Sequence, residues 1–78
     1  MKKVIDILQD MHPNFDFAAS NDFFADGYLD SFDLTKLIVE LEDLYDIEIE
    51  GEDVAAENFQ NIGALCALLK RHGVLDAE

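Results

Sequence analysis

Few residues in this chain have the type and setting to do chemistry, and the most suggestive are Asp30-Ser31, just ahead of an apolar-periodic stretch that begins at Leu34. An aspartate at such a junction N-caps a helix by accepting a backbone N–H. The serine after it then lies in the first turn, where its hydroxyl faces solvent beside unpaired N–H groups and the positive end of the helix dipole. That setting favours an anionic phosphodiester, so Ser31 suits a phosphate-linked prosthetic group. Asp-Ser is also common as a plain capping pair, and the dipeptide alone does not separate the two roles. The other candidates are weaker. His12 and His72 lie far apart without metal-ligand spacing, and His72 reads as a cation closing a helix. Cys66 falls on an apolar helical stripe, where a small core residue is its simplest role. No catalytic residue and no metal site is expected.

A second constellation is Asp22-Phe-Phe-Ala-Asp-Gly-Tyr-Leu-Asp-Ser-Phe-Asp33. It fits a calcium-binding EF-hand loop at the first, fifth, sixth, eighth and ninth positions. The fit fails where ligation needs it. Phe24 at the third position offers no oxygen, and Asp33 replaces the longer, bidentate glutamate at the last. Pro13 also crowds the incoming helix. An EF-hand-like protein is therefore a subordinate alternative.

The elements that must position these residues follow from apolar spacing. Val4, Ile5, Leu8 and Met11 predict an amphipathic helix over about residues 2–11, stopped at His12-Pro13. From Asn14 to Leu29 the pattern is irregular, with Phe15, Phe17, Phe23 and Leu29 among polar residues, which predicts a long loop pinned to the core by aromatics. Leu34, Leu37, Ile38, Leu41, Leu44 and Tyr45 form one buried stripe on a helix from about Ser31 to Tyr45. Asp46 to Glu50 reads as an extended connection, because no second strand is visible to pair with it. Gly51-Glu52-Asp53 leads into a short third helix through Glu57, and Asn58 to Asn61 turns the chain. Ile62, Leu65, Cys66 and Leu69 mark a fourth helix that closes with Lys70-Arg71-His72 and Gly73, and Val74 to Glu78 is expected to fray. The chain thus reads as one domain over residues 1–78, all-α, a small four-helix bundle with a short third helix and a long loop between helices 1 and 2.

At about 100° per residue the buried stripe of the long helix centres on Leu41, which leaves Phe32 and Val39 almost diametrically opposite. Thr35, Lys36, Glu42 and Asp43 surround them, so the outward face is an apolar seam bordered mainly by carboxylates. Isolated exposed apolar residues are common, but such a seam is also the form of a partner-docking helix.

The stretch from Gly27 to Glu50, Gly-Tyr-Leu-Asp-Ser-Phe-Asp-Leu-Thr-Lys-Leu-Ile-Val-Glu-Leu-Glu-Asp-Leu-Tyr-Asp-Ile-Glu-Ile-Glu, resembles the acyl carrier protein family, and the resemblance runs from about Phe23 to Leu69. The family opens its second helix with Asp-Ser-Leu or Asp-Ser-Met. The resemblance implies a non-catalytic carrier that holds acyl intermediates as thioesters on a 4'-phosphopantetheine arm, covalently attached from coenzyme A. It implies Ser31 as the attachment residue and Asp30 as the neighbouring acid read by the phosphopantetheinyl transferase. Phe32, Val39, Glu42 and Asp43 match family positions that contact partners, with Asp33 counted on the same face. Phe32 stands where Leu or Met is usual, and Lys36 where an acid is common. Gly27 lies three residues before Asp30 rather than two, as in D-alanyl and other specialised stand-alone carriers. The cargo thus stays open between acyl groups of fatty-acid, polyketide or related biosynthesis and aminoacyl, D-alanyl or peptidyl groups.

Composition bounds the partners. Eighteen acidic against five basic residues in 78 give a net charge of −13, which repels nucleic acid and anionic lipid and steers the body toward basic patches on other proteins. An unmodified acidic adaptor would share that property, and failure to accept the arm would favour it. The expected partners are the phosphopantetheinyl transferase and the loading and downstream biosynthetic enzymes. Neither nucleic acid nor membrane insertion is expected, and the body reads as a monomer. A single cysteine and the absence of a signal-like apolar run from Met1 to Gln9 point to the cytoplasm. Self-repulsion at this charge should depress stability at low salt, so sodium, magnesium and calcium salts should all raise the melting temperature in thermal unfolding. Stabilisation by micromolar calcium alone would instead favour an EF-hand.

Overall fold

The computed structural model describes residues 2–74. Its α-helices are α1 (Lys2–Met11), α2 (Ser31–Tyr45) and α3 (Ile62–Arg71), joined through single 3₁₀ turns at Phe17–Ala19, Gly51–Asp53 and Ala56–Asn58. No strand occurs among the described residues.

In α1, Val4 and Leu8 turn into the core while Ile7 and Met11 pack at its edge. The helix stops because Pro13 lacks an N–H and disfavours helical backbone at His12, whose own N–H still reaches the Leu8 carbonyl at 3.0 Å. The long loop is held by its aromatics. Phe15 stacks on Tyr28 with ring centroids 4.4 Å apart, and Phe17 meets Phe23 edge-on at 5.1 Å. Within the loop, Asp22 Oδ1 accepts the N–H groups of Phe24 and Ala25 at 3.0 and 3.1 Å, closing a turn that ends at Gly27. Gly27 has φ +77°, the left-handed region glycine enters without a Cβ penalty. The loop is also tied across the domain: Phe23 N–H donates to the Gln60 carbonyl at 2.7 Å, and Asn61 Nδ2 to the Asn21 carbonyl at 3.0 Å.

Helix α2 buries Leu37 and Leu41, with Leu34, Ile38 and Tyr45 half-buried beside them. Leu44, expected on the same stripe, is 39% exposed. It lies about 60° from the stripe centre and lines an open groove between α1 and α2 with Ile7, Lys3 and Asp43. Asp46 ends the helix with φ 54° and ψ 52°, a left-handed conformation aspartate tolerates better than most residues.

The region expected to form a short third helix, and with it the four-helix count, differs from the expectation. Gly51 to Asn58 forms two separate 3₁₀ turns, and neither turn buries a residue. A helix here would have no apolar stripe to pack, and short helices gain most of their stability from such a stripe. Polar contacts hold the segment instead. Asp53 accepts from His72 Nε2 at 2.8 Å and pairs with Arg71 at 3.5 Å, and Asn58 Nδ2 donates to the Asp53 carbonyl at 3.1 Å.

In α3, Asn61 is the N-cap, its side chain accepting the Ala64 N–H at 2.7 Å. Leu65, Leu68 and Leu69 are buried and Cys66 only half-buried, so the inward stripe is rotated toward Leu68 relative to the expected one. Phe59, read from sequence as part of a turn, is fully buried in the core. The expected fraying concerns mainly residues 75–78, which lie outside the described residues; Val74 itself donates its N–H to Leu69 at 2.9 Å.

The two edges of α2 separate by stability. Leu41→Ala, at a buried site, should cost roughly 2–5 kcal/mol in denaturant unfolding. Leu44→Ala should cost about 1 kcal/mol or less, since its partly exposed side chain gives up less transfer free energy.

Candidate functional site at the start of the second helix

The first turn of α2 is built by a reciprocal pair of hydrogen bonds. Asp30 sits in extended backbone at the N-cap, φ −124° and ψ −175°. Its Oδ1 accepts the Asp33 N–H at 2.9 Å, while Asp33 Oδ2 accepts the Asp30 N–H at 3.4 Å. This capping box satisfies two backbone donors that a helix start otherwise leaves to water. Thr35 adds a bond from its hydroxyl to the Ser31 carbonyl at 3.2 Å.

Ser31, the first of the two residues between Asp30 and Asp33, is exposed. Its hydroxyl, and the N–H groups of Ser31 and Phe32, take no partner among the described residues. An oxygen nucleophile with open access therefore stands beside free amide donors at the positive end of a 15-residue helix. These groups fit a phosphodiester bonded to Ser31 Oγ: the free amides can donate to its oxygens, and no side chain has to move away from the hydroxyl first. Asp30 is also exposed, but its carboxylate is committed to the cap.

Of the residues expected on the outward face, Phe32 is 80% and Val39 54% exposed, and Asp43 is exposed beside them. The other two have backbone tasks. Asp33 completes the cap, and Glu42 Oε2 accepts the Ile49 N–H at 2.9 Å, pinning the connection after α2 to the helix. The seam's carboxylates are thus unequal: Asp43 is exposed, whereas Glu42 is half-buried and holds a backbone N–H. Spacing along one helix gave no sign of the Glu42 bond, because its acceptor role depends on where the connection folds back.

His12, set aside for its lack of metal-ligand spacing, places Nε2 3.0 Å from Asp33 Oδ2. The two are 21 positions apart, so no local pattern marks the contact. The carboxylates of the EF-hand-like stretch are dispersed into local bonds: Asp22 caps its turn, Asp26 accepts the Ser20 hydroxyl, and Asp30 and Asp33 cap α2. Among the described residues, no group of three or more His, Cys, Asp or Glu is gathered to hold a metal ion. Nor is any described helix long and apolar enough to cross a membrane.

A family model described as phosphopantetheine attachment site matches residues 2–69. Among curated proteins and among solved structures no match is found.

The division of the seam is testable by stability. Phe32→Ala, Val39→Ala and Asp43→Ala should each change unfolding free energy by about 0.5 kcal/mol or less, as exposed positions do. Glu42→Ala should cost about 1 kcal/mol or more, because it strips the acceptor from the N–H of buried Ile49. Equal effects at Asp43 and Glu42 in denaturant unfolding would contradict this.

Proposed function

The chain belongs to the phosphopantetheine attachment family, a site of covalent 4'-phosphopantetheine, and on that premise we propose that it carries acyl intermediates as thioesters on an arm attached to Ser31. The observation that carries the assignment to this residue is the exposed, unpartnered hydroxyl in the first turn of α2, on the turn that Asp30 and Asp33 cap. Ser31 Oγ would attack the phosphorus of coenzyme A that bears the pantetheine and break its pyrophosphate bond, so that the nucleotide leaves with the other phosphate and the serine proton passes to a base on the phosphopantetheinyl transferase. The free amides of Ser31 and Phe32 then face the phosphodiester that results.

When bound, the arm supplies a thiol that holds the cargo as a thioester and the reach to present it. Attachment, orientation and recognition are the chain's own tasks, and catalysis belongs to partner enzymes. Phe32 and Val39 offer the apolar anchor of a docking face, and Asp43 with the wider negative field steers basic patches toward it. Asp33 and Glu42 contribute charge to that face while serving the fold. The body works as a cytoplasmic monomer.

An aminoacyl, D-alanyl or peptidyl carrier is a second reading of the same site. It is favoured by Gly27, whose left-handed turn lies three residues ahead of Asp30, the spacing of specialised stand-alone carriers.

The test is intact mass after incubation with coenzyme A and a promiscuous phosphopantetheinyl transferase. One added phosphopantetheine is expected. Ser31→Ala should abolish it and Ser20→Ala should not, since the Ser20 hydroxyl is largely buried and donates to Asp26. Addition that survives Ser31→Ala, or no addition to the parent chain by an active transferase, would refute the assignment.

A further inference from the structure

We propose that His12 is a positioning residue for modification of Ser31, acting through Asp33; the inference rests on Ser31 being the attachment residue. Asp33 Oδ2 is a shared acceptor. It takes the Asp30 N–H at 3.4 Å and lies 3.0 Å from His12 Nε2. A carboxylate oxygen offers only lone pairs, so the ring donates, with its proton on Nε2. The 3.4 Å bond is the weaker half of the capping box, against 2.9 Å for its reciprocal. Alone, it would hold the Asp33 side chain loosely.

The imidazole is itself fixed. His12 follows the last residue of α1, its N–H bonded to Leu8, and its ring packs at 5.4 Å from Phe15 and 6.5 Å from Phe17. The donor therefore comes from a different element, already oriented by the aromatic cluster, and it is 32% exposed against 19% for Asp33. A preorganised donor of this kind restricts a carboxylate more than water does.

The consequence falls on Ser31, enclosed in sequence between Asp30 and Asp33. With His12 in place, the Asp33 carboxylate is drawn toward the α1 end and the first turn of α2 is held closed. Without it, that carboxylate is free to swing to solvent and the first turn frays, so only a fraction of molecules present Ser31 in the competent geometry. A smaller competent fraction raises the apparent KM for the carrier and leaves kcat unchanged at saturation.

Two variants of the full, unmodified chain separate donor from packing. His12→Phe keeps a ring against Phe15 and Phe17 but removes the donor, whereas His12→Gln restores an N–H at similar reach. With carrier concentration varied, His12→Phe should raise the transferase KM by about three- to tenfold with kcat within about twofold. The Asp30 amide should exchange hydrogen faster by a similar factor, and His12→Gln should return both toward the parent. Should His12→Phe fail to fold, His12→Asn, whose donor is too short, is expected to show the same changes. A KM within twofold of the parent in His12→Phe or, where that does not fold, in His12→Asn, a loss confined to kcat, or a His12→Gln as impaired as they are would overturn the proposal. An unmodified parent chain would refute the Ser31 assignment itself; the amide exchange, which needs no transferase, would still report whether His12 holds the cap.

Discussion

The reciprocal bonds between Asp30 and Asp33 are the constraint on which the arrangement depends. They end the loop and start α2 at Ser31, and a helix once started has no freedom in the azimuth of its later residues. With those relative positions fixed, burying Leu37 and Leu41 sends Phe32 and Val39 outward, and the cap leaves one hydroxyl open in the first turn. Core and site share one helix, whose beginning is set by a contact of three residues' span.

Local rules made one half of that contact legible in advance, the cap from Asp30, while the return bond from Asp33 was not read. Asp30 as cap, the limits of α2 and the outward placement of Phe32 and Val39 all follow from short-range chemistry and a 3.6-residue period. The aromatics of the long loop were readable as anchors, though not their mutual geometry. What escaped was set by distant parts of the chain. Leu44 matched the stripe in sequence, but its exposure depends on how α1 lies beside α2. Phe59 sat in a polar turn with no periodicity to mark it, yet it fills the core. The acidic start of Gly51 to Asn58 resembled a helix N-terminus, and only the lack of a face to bury made it two tight turns. The His12 and Glu42 contacts were invisible for the same reason: both partners are placed by tertiary folding.

The acidic excess serves two ends. Asp22, Asp30 and Glu42 accept backbone N–H groups, and Asp53 binds the Arg71 and His72 side chains, so part of the negative charge is neutralised locally by dipoles and cations. What remains, on residues such as Glu40 and Asp43, projects into solvent around the seam. A body this small has little interior for a site of its own, which accords with a family whose chemistry resides on a covalently attached group.

The ties from the long loop to the start of α3 bear on how the chain reaches this state. Asn61 reaches back 40 positions to Asn21, and the adjacent Phe23–Gln60 bond closes nearly the same ring, so all of α2 lies inside it. Helix α2 and its cap are local and gain from every added turn as they grow. The ring gains nothing until its two ends meet, and its closure entropy falls before the reward of burying Phe23 and Phe59. An encounter across so many residues is expected to slow folding more than the helices do. The clasp also lies beside the cap, since the Phe23 carbonyl accepts the N–H groups of Tyr28 and Leu29 at 2.8 and 3.1 Å, so the meeting that closes the ring also fixes the approach to the first turn of α2.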